Sequence, residues 1–555
     1  MKKLPLIGGM LVAAGSLLAW GQPDADVSND TALNRNIAIF NAITEQLNQV
    51  YVDSLRPDEA FELAIAGLLY TVDPYTEFYN TEDVERVKQM TTGAYGGIGA
   101  YIHQHEGETY ISNPMENSPA AKAGLKAGDH ILKVDSVDVR GKGSDFTIRH
   151  MKGDPSTMVT LLVERPFVAD SLLTIEIMRE KLQDKSVPYY GVSDGVGYIK
   201  LNSFMEKSAD EVKEALESFK KVPGLKGVIL DLRDNGGGLV TSSVDILGMF
   251  LPKGTKVLET KGKPGSGNNT KYVTDQFPVM KDVPLVVLIN EDSASASEIT
   301  AGAIQDLDRG VLMGRRSFGK GLVQSTLNMP YNTMLKVTTS KYHLPSGRLI
   351  QALDYSHRRD DGSVAPTPDS LTNEFKTRHG RKVRDGGGLV PDSMLVAREY
   401  SRLISSLLSE DQIFNYANKF ASEHPAIPSP GEFKITDEIF NDFVAFIDTT
   451  KVKSVESGPK LVEALRKTAD TEGFMTEDLD ASLKALEPLV APNLNRDLAN
   501  KRAEIEEFLG REIVKRYYYT KGETEYGLRF DDEFAAAKKV LADKKLYDSF
   551  LSPKK

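Results

Sequence analysis

The sequence predicts a multidomain α/β protein: a layered α/β core preceded by a β-rich module, with helical regions at both ends. Three observations carry that reading. In residues 186–395, short apolar runs such as Val228-Ile229-Leu230 and Leu285-Val286-Val287-Leu288-Ile289 alternate with amphipathic stretches, as strands buried between helices do. In residues 93–180, short β-like runs are separated by glycine turns. On both flanks, apolar residues recur at helical spacing. The 555 residues are enough for three or four cores, and 40% hydrophobic with 26% charged residues is an ordinary globular balance.

Composition removes several functions. Lys and Arg total 68 against 79 Asp and Glu, a net charge of −11. A general nucleic-acid binder needs a basic face to release counterions, so that class is excluded, and no nucleic-acid partner is expected. There is no cysteine. Disulfides, thiolate zinc sites, a cysteine nucleophile and a lipid anchor on an N-terminal cysteine are therefore all absent.

Taken in order, Lys2 and Lys3 precede an apolar run over residues 4–20, and Ala19-Trp20-Gly21 supplies small residues at alternate positions. That is the pattern of a cleavable signal peptide over residues 1–21, which predicts an exported, periplasmic or otherwise extracytoplasmic protein. A retained N-terminal membrane anchor is the rival reading, but the run is short for a span and rich in glycine. Residues 22–92 read as helical: Ile37, Phe40, Ile43, Leu47 and Val50 form one stripe, and Asp73-Pro74-Tyr75 breaks a second helix. Residues 93–180 open on the glycine-rich Gly96-Gly97-Ile98-Gly99. They continue through Ser118-Pro119-Ala120-Ala121, a capped short helix, into the strand Ile131-Leu132-Lys133-Val134. Residues 181–395 form the α/β core, and residues 396–555 are charged and helical, with no catalytic constellation.

The β-rich segment resembles a PDZ domain of the bacterial protease type, most specifically in SPAAKAGLKAGDHILKVD at 118–135. The resemblance implies capture of a peptide C-terminus, with backbone N–H groups of Gly97, Ile98 and Gly99 receiving the carboxylate. Glycine would let that carboxylate approach the backbone closely.

Within the core, Ser293, Ser295 and Ser297 alternate with alanine where a helix follows a buried strand. Free N–H groups at a helix start stabilise a developing oxyanion. The same segment also fits a plain capping box, Ser295-Ala296-Ser297-Glu298. A serine nucleophile needs a base. None of the eight histidines, His343 included, sits in a triad motif. A desolvated lysine is the alternative base, and Lys320 lies in the glycine-flanked loop Phe318-Gly319-Lys320-Gly321. If residues 320–324 are extended, Gln324 falls on the face of Lys320 and could orient its amine. Gly314 to Lys320 also matches the start of a phosphate-binding loop. However, Gly321 replaces the metal-holding hydroxyl, and a strand rather than a helix follows. The triple glycine after Arg233-Asp234-Asn235 is a further candidate oxyanion loop.

DLRDNGGG at 231–238, SASASE at 293–298, FGKGLVQ at 318–324 and YHLPSGRLIQ at 342–351 stand in one order behind the PDZ-like module. Together they resemble the carboxyl-terminal processing peptidases, also called tail-specific proteases. The resemblance implies a crotonase-like core and a serine endopeptidase with Ser295 as nucleophile, Lys320 as general base and Gln324 as its orienting partner. It also implies an oxyanion hole from Gly237 and Ala296, with Gly236 and Gly238 left as rivals to Gly237. No cofactor and no metal are expected. Substrates would be proteins or peptides with exposed C-termini. The chain departs from the common pattern in a charged insertion at 352–387 and in the extension at 396–555, through which an adaptor protein or a second copy could dock. Two other readings compete: a non-catalytic peptide-binding scaffold, and a serine esterase or amidase for small substrates.

Overall fold

The structure is a computed structural model that describes residues 29–355, 358–359, 363–452 and 457–553. The expected signal peptide lies outside the described residues. The chain divides into two units, residues 1–71 and 72–555. The described part of the first is a pair of helices, Asn29–Val50 and Pro57–Tyr70, whose Phe40 and Phe61 rings meet edge to face.

The second unit is built around a six-stranded sheet. Its order is Tyr189–Ser193, Val196–Lys200, Gly227–Asp231, Leu285–Ile289, Val311–Gly314 and Ser393–Met394. The first pair is antiparallel and the rest are parallel. A parallel sheet buries both faces, and alternate residues here enter two different cores. Val228, Leu230, Val287 and Ile289 pack with Val212, Leu216, Ile246, Ile299 and Ala303 from the helices Ser208–Phe219, Val240–Gly248 and Ala296–Asp306. Tyr198, Ile229, Val286, Leu288 and Met313 pack with Phe534, Ala537, Val540 and Tyr547 from Asp532–Ala542 and Lys544–Leu551. The end of the C-terminal region is thus the second helical layer of the core sheet.

A second sheet joins Glu77–Tyr79, Thr333–His343, Lys256–Gly262 and Thr270–Val273, with Leu322–Met329 also paired to Thr333–His343. The strand Glu77–Tyr79 falls in the stretch that reads as helical by periodicity. Three residues are too few to show an alternation.

The PDZ sheet runs Ala100–His105, Glu108–Pro114, His130–Val134, Met158–Glu164 and Leu172–Met178, over the helices Pro119–Lys122 and Ser144–Met151. Ser118 caps the first of these helices by accepting from Ala121 N–H. Helices between Arg402–Ser409 and Arg502–Gly527 enclose a separate aromatic-rich core around Tyr416, Phe443 and Ile513.

Candidate active site

The apolar strand Leu285–Ile289 ends in a turn that feeds the helix Ala296–Asp306. Ser295 stands at that helix start with φ 55° and ψ −114°, outside the regions ordinary residues occupy. The three serines have different surroundings. Ser293 is fully buried, and its hydroxyl donates to Leu232 O at 2.8 Å. Ser297 is also fully buried and donates to Asn235 O at 2.8 Å. Both are rivets between this turn and the 232–235 loop. Ser295 is only partly buried and is the one whose hydroxyl is not committed to that loop.

The glycine loop lies directly against Ser295. A Cβ on Gly237 would fall 2.7 Å from Ala294 O, 2.8 Å from Ser295 Cβ and 2.9 Å from Ala296 N, and its φ is +103°. Only glycine permits that approach. Gly237 N–H, however, donates to Asn235 Oδ1 at 2.9 Å. The expectation that Gly237 offers an oxyanion donor is therefore not met in this arrangement; it serves by being bare. Ala296 is the first residue of its helix, where N–H groups have no intrahelical acceptor. Arg233 anchors the loop from behind. It pairs with Asp231 at 2.6 Å, with Asp531 at 2.7 Å and with Glu533 at 2.6 Å, so the C-terminal helical layer braces the loop.

Glu298 is the group the sequence presents only as half of a capping box. It is fully buried. Its Oε1 accepts from Ser317 Oγ at 2.5 Å and Gly319 N at 2.7 Å, and its Oε2 accepts from Lys320 N at 2.8 Å and Ser295 N at 3.0 Å. One carboxylate therefore fixes the backbones of both Ser295 and Lys320. Burial pushes its pKa up, and the four donors oppose that.

Lys320 is partly buried, with Nζ 4.3 Å from the centre of the Tyr75 ring. Desolvation, helped by the charge of Lys336, lowers its pKa from 10.5 to about 8, while Asp73, Glu298 and Glu77 pull it upward. Tyr75 is set by Asp73, whose Oδ1 accepts from the Tyr75 and Thr76 N–H groups at 2.8 Å each. Among the described residues, Lys320 Nζ makes no hydrogen bond to Ser295 or to Gln324. Gln324 instead donates to Thr338 Oγ1 at 3.0 Å. The expected orienting contact is absent, and the pairing with Thr333–His343 shifts register between Val323 and Gln324, which breaks the alternation that would put Gln324 on the face of Lys320. His343 lies elsewhere, its Nδ1 3.1 Å from Gly347 O.

In the PDZ domain, Gly99 has φ +74°, and a Cβ there would fall 2.5 Å from Ser118 Cβ. Ile98 O accepts from Ala120 N at 2.8 Å and Gly99 O from Met115 N at 2.9 Å. In a trans peptide the N–H lies opposite the carbonyl, so Gly99 N–H points away from these inward bonds. Gly97 is tied into a two-stranded pairing with Glu180.

Comparisons with known proteins agree with this architecture. The pattern of peptidase family S41 matches residues 195–355, that of the PDZ domain residues 87–164, and that of the C-terminal helical domain of a probable PDZ-protease residues 403–541. The chain is 33% identical over 355 residues to a carboxy-terminal-processing protease of Bartonella bacilliformis, covering 63% of this chain and 80% of that one. It is 34% identical over 317 residues to a probable CtpA-like serine protease of Staphylococcus aureus, covering 57% of this chain and 62% of that one. Among solved structures it is similar to the photosystem II D1 C-terminal processing protease, at 25% identity over 66% of this chain and 88% of that one, with a TM-score of 0.35. The chain belongs to peptidase family S41, among the carboxy-terminal-processing proteases. It is a serine-type peptidase carrying a PDZ domain.

Proposed function

We propose that this peptidase is an extracytoplasmic endopeptidase that captures a protein's C-terminal tail in its PDZ domain and cleaves upstream with a Ser295–Lys320 dyad. The observation that carries the dyad is the division of labour among the serines. Ser293 and Ser297 are buried and bonded to the neighbouring loop, while Ser295 heads the helix beside a lysine whose pKa is lowered to about 8. Neutral Lys320 takes the Ser295 proton as Oγ attacks the scissile carbonyl carbon. The resulting oxyanion is held by Ala296 N–H and by a glycine-loop donor, Gly236 or Gly238. The lysine ammonium then protonates the leaving amine, and water hydrolyses the acyl-enzyme. The step requires Lys320 Nζ to leave the Tyr75 ring and turn to Ser295.

Tail recognition is supported by the Gly99 N–H direction and by a groove of about 600 Å³ beside that loop. The groove is lined by Tyr101, Met115 and Ser118 of the PDZ domain, by Leu182 just after it and by Lys515 and Lys521 of the helical region. Acidic Glu116, Asp184 and Glu523 line it as well, and Lys515 pairs with Glu523 at 3.5 Å, so the support from this groove is its position and not its charge. Export is supported by the composition of residues 1–21, and among the described residues no helix is long and apolar enough to cross a membrane. Peptides identical but for a free or an amidated C-terminus test the tail reading. The free acid is expected to be cleaved much faster, and equal rates would refute carboxylate capture.

A further inference from the structure

His103 and His105 sit two apart on the outer strand of the PDZ sheet, Ala100–His105, so their side chains share one face. That face meets Asp411, the residue before the helix Gln412–Glu423, held at φ 52°. His103 Nε2 lies 3.0 Å from Asp411 Oδ1 and 2.8 Å from Oδ2, and His105 Nδ1 lies 3.4 Å from Oδ2. One ligand atom from each residue falls within 4.8 Å of the others. Zinc bonds of about 2.0–2.1 Å at tetrahedral angles space their ligands by roughly 3.3 Å, so small side-chain adjustments bring the three into coordination.

We propose that His103, His105 and Asp411 bind one divalent transition-metal ion, zinc by the chemistry of the donors, tying the PDZ domain to the C-terminal helical region. Two imidazoles and a carboxylate are a zinc donor set with a fourth position left for water. The burial of the carboxylate and the identity of its partners point the same way. Asp411 is buried at 6% exposure, and the two imidazoles are the only side chains bonded or ion-paired to its carboxylate among the described residues. The nearby cation is spent elsewhere: Arg516 pairs with Glu512 at 2.7 Å and donates to Asn418 at 2.8 Å. The Phe414 ring, 5.0 Å from His103, shelters one side, and Glu106, 3.9 Å from His105 Nε2, adds negative charge on the other. Sequence spacing could not show this site, because Asp411 lies 308 positions beyond His103.

The test uses the full chain, stripped with chelator and dialysed. Zinc is titrated against a competing chromophoric chelator, and cobalt is added separately as a spectroscopic probe. Wild type is expected to bind one zinc per chain, and its cobalt form to absorb in the visible as a four-coordinate site. His105→Gln, which leaves the His103–Asp411 hydrogen bond in place, should keep the metal-free melting temperature and circular dichroism of wild type. It should nevertheless lose about tenfold or more in zinc affinity, as should Asp411→Asn. Wild type that takes up no zinc, or a His105→Gln/Asp411→Asn double variant that binds zinc as wild type does, overturns the proposal.

Discussion

Replacing Glu298 with glutamine changes one atom in the most connected side chain of the site. The carboxylate accepts from four donors, two per oxygen. Glutamine has one acceptor oxygen and an NH₂. In its better orientation the oxygen keeps Ser295 N–H and Lys320 N–H, and the NH₂ turns to Ser317 Oγ and Gly319 N–H. Ser317 can rotate its hydroxyl and accept, but Gly319 N–H then faces a donor, and one amide hydrogen is also stranded. Each buried donor without a partner costs about 1–3 kcal/mol, so Glu298→Gln is expected to destabilise the core by about 2–6 kcal/mol. For a unit spanning residues 72–555 that is a fall of about 2–6 °C in the calorimetric transition. Because the same carboxylate sets both Ser295 and Lys320, peptidase turnover is expected to fall about 100-fold, the scale of a 1 Å misplacement of reacting groups. Calorimetry with parallel peptide-cleavage rates measures both. A Glu298→Gln protein with wild-type melting and turnover would refute the claim that this carboxylate positions the pair.

Further outcomes follow from the same geometry. Because the folded pKa of Lys320, about 8, lies below its ordinary 10.5, its charge costs stability below pH 8, and the cost fades between pH 8 and 10.5. Lys320→Met should therefore melt higher than wild type at pH 7, by about 1–3 kcal/mol after allowing for the Tyr75 ring that favours the cation, and the gain should vanish near pH 10.5. Tyr75→Leu removes that ring, so the rising limb of activity against pH should move down by up to about one unit. Gly237→Ala, with its Cβ against the Ser295–Ala296 peptide, should abolish cleavage. Gly236→Ala, with open space at that point, should leave a folded and active enzyme, and circular dichroism with cleavage rates separates the two. Ser297→Ala removes one buried hydrogen bond and should lower stability by about 1 kcal/mol, whereas Ser293→Ala also leaves the Asn290 N–H without its acceptor and should cost about 2–4 kcal/mol; both should retain measurable turnover.

Much of the fold was legible because its signals are local. The buried strands Gly227–Asp231 and Leu285–Ile289 are continuous apolar runs, and Ser118 announces its short helix. What was not legible depends on partners far along the chain. SASASE alone cannot say which serine is left uncommitted to the neighbouring loop, since the acceptors of Ser293 and Ser297 lie 61 and 62 positions away. Tyr75 reads only as a helix break, and nothing local shows that its ring meets Lys320. The stripe Phe534, Ala537 and Val540 predicts a helix with a buried face, but not that the face covers the back of the core sheet. The place of Gln324 depends on an unbroken alternation from residue 320, and a register shift between Val323 and Gln324, set by the partner strand, interrupts it.

The dyad is tested most directly by the rate at which a fluorophosphonate labels the enzyme as a function of pH, with the labelled residue mapped by mass spectrometry. Ser295 is expected to carry the adduct alone, with a rate that rises through about pH 8 as Lys320 loses its proton. Lys320→Arg, which stays protonated, and Lys320→Met, which has no base, are both expected to fold and to lose labelling. An adduct on Ser293 or Ser297, or labelling of Lys320→Arg at the wild-type rate, would contradict the account.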